Sequence, residues 1–287
     1  RHRMAYTLQQ HQTVLLDMLR EVDRICKKHE IPYLLFSGTA LGAIRHEGFI
    51  PWDDDLDVIM LRCDYRRFLQ VAPGELGERY FLQAEFSEHW PMFFSKLRKN
   101  NTACMERFVP RDPLMHQGVC MDIFPCDNLS DAPLKRRLQF AASKLVIAGS
   151  LYRRGYITHS PAKKLLMQLS RILPMRALHR FVLDEKEPQS RMVHSFFGAS
   201  SRYARSVYDR RWFTERVNLP FEGDLFPVSA HCEQLLTTLY GDWRRIPPPE
   251  ERQCKVHGEI VDLDSSYENY LQQQRETKYE VLSRSIR

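Results

Sequence analysis

The sequence predicts an α/β (α+β) fold: buried strands flanked by helices, carrying a helical insertion. Three observations predict it. Residues 33–36 and 56–61 are short and wholly apolar, as strands buried on both faces are. Ahead of them, Leu8, Val14, Leu15, Leu19, Val22 and Ile25 recur at helical spacing with charges between. From about 131 to 205 the pattern becomes helical and basic, with Lys135, Arg136, Arg137, Lys144, Arg153, Arg154, Lys163 and Lys164.

The elements follow in order. Residues 5–30 form a first helix, ended by Pro32. A strand over 33–36 meets a turn at Ser37-Gly38-Thr39, and 40–45 is a short helix broken by Gly48 and Pro51. The second buried strand, 56–61, has Asp55 and Asp57 at its start, and 64–71 is helical again. Residues 80–83, 93–98 and 118–124 read as strands, the last with Asp122 as its one charge. Mixed structure resumes over 206–260, where 229–240 is an amphipathic helix stopped at Gly241 and Pro247-Pro248-Pro249 must be non-helical. The predicted division is a catalytic core over 4–130, the basic insertion over 131–205, the rest of the core with a substrate-contact loop over 206–265, and a polar tail over 266–287.

Bulk composition narrows the function. The net charge of +6, from 42 basic and 36 acidic residues, suits an anionic small molecule or an anionic membrane surface, and no long Lys/Arg block asks for nucleic acid. No apolar run approaches the roughly 18 residues of a membrane span, and no signal-peptide core is visible; Arg1-His2-Arg3 before Met4 reads as the remnant of a tag. Seven cysteines, without a C-x-x-C pair, read as reduced thiols filling a core, and the expected location is cytoplasmic, with the inner face of the membrane as the place for peripheral contact. A zinc site from His116, Cys120 and Cys126 has no common structural spacing, so core packing is the better reading.

The chemistry concentrates in "SGTALGAIRHEGFIPWDDDLDVIM", residues 37–60, where four aspartates stand within five positions. Carboxylates so crowded resist ionising unless a cation neutralises them. On a strand, Asp55 and Asp57 share one face. Hard cations take such oxygen ligands, and Mg²⁺ (with Mn²⁺ as the alternative) binds through one or two carboxylates plus substrate phosphates. Backbone N–H groups at the Ser37-Gly38 turn and the following helix start suit a phosphate. Together these residues make a metal–phosphoryl site. Asp122 is the expected third carboxylate, as metal ligand and as acceptor of a hydroxyl proton, because an isolated aspartate between Met121 and Ile123 is costly to bury. The competing reading of D-D-D-x-D is a solvated acidic turn or a weak calcium loop; the apolar run after it and the strand-turn-helix before it weigh against that.

Lys96 and Arg98 share a strand face and suit phosphate oxygens, although an exposed basic edge strand looks the same in sequence. Arg45 is expected to pair with Asp53 or Asp54 or to touch substrate phosphate, whereas the adjoining His46 reads as a surface residue. In "LYGDWRRIPPPEERQCKVHGE", His257 is a candidate substrate contact or proton-transfer helper, against the plainer reading of a solvated loop histidine.

These motifs, taken in order, resemble the LicD family. They are Ser-Gly-Thr-x-Leu-Gly-x-x-Arg-His, Ile-Pro-Trp-Asp-Asp-Asp-Leu-Asp, Met-Asp-Ile-Phe-Pro-x-Asp, and Tyr-Gly-Asp-Trp followed by Pro-Pro. The family comprises bacterial phosphotransferases related to fukutin and fukutin-related protein. The resemblance runs from about residue 8 to about 260, least distinctly over 131–205. It implies a nucleotidyltransferase-like mixed sheet with Mg²⁺ on Asp55 and Asp57, Asp122 as the third carboxylate, Asp53 as a further family aspartate, and Ser37 and Gly38 as the nucleotide-phosphate turn. It also implies transfer of phosphocholine, or a similar phospho-alcohol, from CDP-choline or another CDP-alcohol to a glycan such as teichoic acid or lipopolysaccharide, including lipid-linked forms. The cysteine cluster that gives fukutin-related protein its zinc site is missing here. A choline head group would need an aromatic box, for which Trp52, Trp90, Tyr208, Trp212 and Trp243 are candidates. Two alternatives remain open: a nucleotidyltransferase that releases pyrophosphate, and a non-catalytic basic module that binds nucleic acid or an anionic membrane through 131–205.

Overall fold

The structure is a computed structural model that describes residues 6–106, 110, 112–184, 189–198, 202–252 and 258–285, with side chains up to residue 276. Helix α1 (Leu8–Lys28) opens the chain, capped by Thr7 and Gln10 in a reciprocal capping box. Its buried residues, among them Leu15, Leu19, Val22 and Ile25, recur at three- and four-residue spacing and face the core. Strand β1 (Leu34–Leu35) leads directly into α2 (Ser37–His46). Strand β2 (Asp57–Leu61) follows, then α3 (Arg62–Glu75), β3 (Tyr80–Gln83), β4 (Ser95–Lys99), β5 (Ala103–Met105) and β6 (Cys120–Leu129).

The central sheet has the order β1-β2-β6-β4-β3. Only the β2–β6 pair is parallel; β1–β2, β6–β4 and β4–β3 are antiparallel. This is the mixed sheet that the family resemblance implies. Alternation along β2 sends Val58 and Met60 to one face, where they pack with α1 and with Tyr65, Phe68 and Ala72 of α3. Ile59, with Phe124 of β6, goes to the other face.

That second face is covered by α4 (Pro133–Arg154), α5 (Pro161–Leu169) and α6 (Met175–Leu183), through residues such as Val146 and Val182. The segment expected to be helical over 131–205 differs in one respect. Strand β7 (Met192–His194) lies within it, pairs antiparallel with Asp127, Asn128 and Leu129 of β6, and is extended by β8 (Val207–Asp209). At three residues each, these strands are too short to carry an alternating pattern. The short helix α7 (Arg211–Thr214) leads to a hairpin of β9 (Arg216–Phe221) and β10 (Asp224–Ser229). Its two-residue loop, Glu222-Gly223, has both φ angles positive, as the twist of a tight hairpin requires. The hairpin tip grips the end of α2: Glu222 N–H donates to the Glu47 carbonyl, and the Phe49 N–H donates to the Glu222 carboxylate. Helix α8 (Cys232–Tyr240) ends at Gly241 as predicted; β11 (Ile260–Asp262) pairs with β5, and α9 (Tyr267–Ser285) makes the C-terminal segment helical.

Gly42 fixes how closely α2 approaches the chain that follows it. A Cβ there would lie 2.4 Å from the Gly48 carbonyl oxygen and 3.2 Å from the Ile50 nitrogen, both backbone atoms. Gly42→Ala should therefore cost about 1–3 kcal/mol, read as a melting temperature lowered by several degrees. A melting curve unchanged from the parent would contradict the close approach.

Candidate active site

The site grows out of sheet register. In the parallel pairing of β2 with β6, Asp57 stands opposite Asp122; in the antiparallel pairing of β6 with β4, Asp122 stands opposite Lys96. All three side chains project from the same face, so two carboxylates and an ammonium form a row across three strands about 4.8 Å apart. The Lys96 ammonium donates to Asp122 Oδ1. Burial works against the Lys96 charge, yet the fields of Asp122 and Cys120 outweigh it and its pKa lies above the usual lysine range. Beside the row is a cavity of about 360 Å³ whose lining includes Asp54, Asp55, Lys96, Arg98, Cys120 and Asp122.

Asp57 is buried at the first position of β2. Burial first, then repulsion from Asp55, Asp122 and Asp53, pushes its carboxyl well above the usual carboxylate range, and Lys96 opposes only part of this. Its backbone N–H donates to Thr39 Oγ1 at 2.8 Å, which ties β2 to the first turn of α2. Asp55 lies outside the strand, in the extended lead-in that starts to pair at Leu56, whose carbonyl accepts the Asp122 N–H at 2.9 Å. Asp55 thus stands just before the strand rather than within it, and its charge acts on Asp57.

The Ser37-Gly38-Thr39 turn is itself the first turn of α2, not a loop before it. Ser37 adopts φ of 50°, a left-handed conformation that a non-glycine residue rarely takes and that marks stored strain at functional turns. A Cβ on Gly38 would stand 2.9 Å from Asp53 Oδ2, so the glycine admits the Asp53 carboxylate to the start of the helix. Ser37 Oγ and the Tyr240 hydroxyl share a hydrogen bond of 2.7 Å. Burial and the charges of Asp57, Asp55 and Asp53 raise the Tyr240 pKa, against the Ser37 bond, so the phenol lies within the field of the acidic cluster. Sequence reasoning passed over Tyr240, although it opens the Tyr-Gly-Asp-Trp motif; its signal was the motif itself, since nothing local marks a tyrosine at a helix end.

Other expected contacts fall elsewhere. Arg98 is buried and donates to Gln83 Oε1 at 2.8 Å and to the Gly118 carbonyl at 2.9 Å. Arg45 donates to the Trp243 carbonyl and to the His46 ring, both at 3.1 Å, rather than to Asp53 or Asp54. Burial, then the nearby Arg252, lowers its pKa. His257 lies outside the described residues. The aromatic candidates do not converge on one box. Trp243 and Trp52 pack with the α1 side of the sheet, while Trp90, Tyr208 and Trp212 pack on the opposite side. Trp90 and Tyr208 are moreover fully buried. His116 spends both ring nitrogens on Asn100 and the Gly118 N–H, and the six described cysteines are free thiols.

Among the described residues, no group of three or more His, Cys, Asp or Glu side chains closes into a cation cage. The donor chemistry nevertheless suits a hard divalent ion. Asp57 is buried amid three other carboxylates, and that excess of negative charge is what such an ion would neutralise.

Comparison with known proteins adds the lineage. A family model described as LicD/FKTN/FKRP, nucleotidyltransferase domain, matches residues 30–125, the stretch from the end of α1 into β6 that holds Asp55, Asp57, Lys96 and Asp122. The lipopolysaccharide cholinephosphotransferase LicD of Haemophilus influenzae is 28% identical over 255 residues, which cover 86% of this chain and 94% of that protein. Residues 30–125 thus match a LicD-type domain, and the chain is similar to a LicD protein over most of its length. An uncharacterized protein of Rickettsia typhi is 41% identical over 67 residues, 23% of this chain and 22% of that one. The similarity to the Haemophilus protein continues well beyond the matched domain.

Proposed function

We propose that this chain transfers phosphocholine, or a closely similar phospho-alcohol, from a CDP-linked donor to a hydroxyl of a cell-surface glycan such as lipopolysaccharide. The observation that carries the reading is the Asp57–Asp122–Lys96 row beside a strained helix-start turn, in a chain that aligns with a cholinephosphotransferase over most of its length.

In this reading the N–H groups at the start of α2 hold the donor diphosphate. Asp55 and Asp57, with Asp53 beside them, would hold Mg²⁺, which when bound neutralises diphosphate charge and orients the leaving group. Thr39, by fixing the Asp57 backbone, keeps that carboxylate aimed at the turn. Lys96 orients Asp122 through their hydrogen-bonded ion pair. Asp122 accepts the proton of the acceptor hydroxyl as its oxygen bonds to the phosphocholine phosphorus, and the phosphorus–oxygen bond to CMP breaks in line. No charge is left uncompensated, because the proton stays on Asp122 and the electron pair leaves with CMP.

Incubation with CDP-choline, CDP-ethanolamine and CDP-ribitol, each with a phosphocholine-free lipopolysaccharide acceptor, tests this. CMP release with label on the glycan is expected for one donor, and a chelator should lower the rate at least a hundred-fold. Pyrophosphate released from CTP instead, or turnover indifferent to chelator, would replace the reading with the nucleotidyltransferase one or remove the metal from it.

A further inference from the structure

A cavity of about 480 Å³ lies apart from the one beside the aspartates. It lies between the sheet and the α4–α5 pair, and Phe94, Phe124, Phe197, Ile147, Leu151 and Met167 are among its walls. This size and apolar character are those of a small-molecule site. Two lysines, Lys144 and Lys163, also line it. Neither has an ion-pair partner among the described residues. The Lys144 ammonium stands 4.2 Å from the Phe140 ring centroid, and burial alone lowers its pKa, with no carboxylate acting on it.

A cavity with phenylalanine walls and cations without counter-ions selects its ligand twice over. The walls favour a hydrocarbon chain, and the lysines favour a negative head group and repel a trimethylammonium. The surroundings carry the same two preferences. Leu134, Leu138, Ile157, Leu165 and Ile172 are exposed over this helical layer. Residues 131–184 hold eleven lysines and arginines against two aspartates, a net +9 in a chain whose total is +6. The cavity also adjoins the row of charges. The Phe94 and Phe124 rings that wall it are 5.0 Å apart, and the Lys96 ammonium lies 5.4 Å from the Phe94 ring.

We propose that this cavity binds the single apolar chain of an anionic phospholipid-like amphiphile, alkyl or isoprenoid, with its phosphate held by Lys144 and Lys163. Resting on the transfer reading above, the ligand is the lipid end of a lipid-linked glycan acceptor, which would bring its sugar to Asp122 across the Phe94–Phe124 wall.

The test uses the full chain without nucleotide or metal. Binding of alkyl phosphates from hexyl to dodecyl, of farnesyl phosphate, of inorganic phosphate and of dodecyltrimethylammonium is measured by calorimetry below micelle-forming concentrations. Affinity should rise about three- to four-fold per added methylene until the cavity is full. Inorganic phosphate should not bind measurably, and the cationic amphiphile should bind at least ten-fold more weakly than dodecyl phosphate. Whichever of dodecyl and farnesyl phosphate binds tighter identifies the chain type, and either preference supports the site. Lys144→Gln and Lys163→Glu should each weaken dodecyl phosphate about ten-fold. Lys163 is exposed on the first turn of α5, so that variant tests the head-group contact without disturbing the core. Affinity independent of chain length, equal binding of the cationic amphiphile, inorganic phosphate bound as tightly as its alkyl ester, or indifference to both lysine variants would each overturn the proposal. Because no donor is present, alkyl phosphate binding without CMP release would sink the transfer reading alone, and CMP release without such binding would sink the lipid site alone.

Discussion

Asp57→Asn should lower transfer turnover about a thousand-fold while leaving the melting temperature in chelator equal to or above that of the parent. The loss follows from removing one preorganised charge at the site proposed for phosphoryl transfer, a reaction in which positioning and electrostatics supply nearly all of the rate. The stability follows from burial. Asp57 sits amid Asp53, Asp55 and Asp122, so its carboxyl keeps its proton to higher pH in the folded chain than in the unfolded one. A group with a raised folded pKa favours folding fully below its unfolded pKa, about 4, and that advantage is lost as pH rises through its folded value. Metal-free parent protein should therefore lose stability as pH is raised from 4 upward, and the asparagine variant should lose less over the same range. The backbone N–H of residue 57 still reaches Thr39, so the strand stays tied to α2. Melts in chelator across pH 4–8, beside CMP-release rates with Mg²⁺, separate the two effects. A variant that turns over within ten-fold of the parent, or whose pH dependence matches it, would show that Asp57 is neither a charge of the site nor a member of the repelling cluster.

What could be read from residues alone was whatever depends on short-range periodicity. Leu34, Val58, Ile59 and Ile123 lie in apolar runs, and runs make buried strands; Asp122 interrupts one such run, and that single interruption located the third carboxylate opposite Asp57. The helical stretches of α1 and α8 followed from three- and four-residue spacing and from Pro32 and Gly241 as stops. Features that depend on distant parts of the chain were not legible. Tyr240 meets Ser37 across about two hundred residues of sequence. Strand alternation pairs Arg98 with Lys96, and both line the cavity beside the aspartates, but the bonds from Arg98 to Gln83 on the neighbouring strand and to the Gly118 carbonyl were not legible. The start of α2 at Ser37 was hidden because a strained φ, not a capping side chain, begins that helix. The phenylalanine cavity is assembled from positions 93, 94, 124, 196 and 197, and no window of sequence contains that set.

Arg62→Ala should be the most destabilising single substitution outside the apolar core, costing about 3–5 kcal/mol and lowering the melting temperature by roughly 10 °C for a chain of this size. Arg62 is buried and donates from Nε to Asp127 Oδ1 at 2.6 Å and from Nη2 to Asp127 Oδ2 at 3.0 Å, a bidentate pair, while Nη1 donates to Glu85. Its guanidinium also lies 5.0 Å from the Tyr65 ring centroid. Alanine would leave two buried carboxylates facing each other without a cation. Burial already raises the Glu85 pKa against the pull of Arg62, and removing Arg62 would raise it further. The variant should then recover stability as pH falls and the carboxyls take protons, so its deficit against the parent should be smaller at pH 5 than at pH 8. Arg62→Met combined with Asp127→Asn and Glu85→Gln, which removes all three charges together, should regain much of the loss. A deficit that is flat with pH, or a triple variant no more stable than Arg62→Ala, would count against an uncompensated-charge origin. The consequence reaches the site. Leu61 pairs with Cys126 at the end of the same parallel ladder that begins with Asp57 opposite Asp122. Arg62 and Asp127, the next residues on each side, thus clamp one end of a five-residue register whose other end carries Asp57 and Asp122, the groups proposed to act in transfer. A slip of one residue would turn Asp57 or Asp122 to the opposite face. Arg62→Ala should for that reason depress turnover at temperatures well below its own melting point, although Arg62 touches no substrate, and the triple variant should restore turnover along with stability.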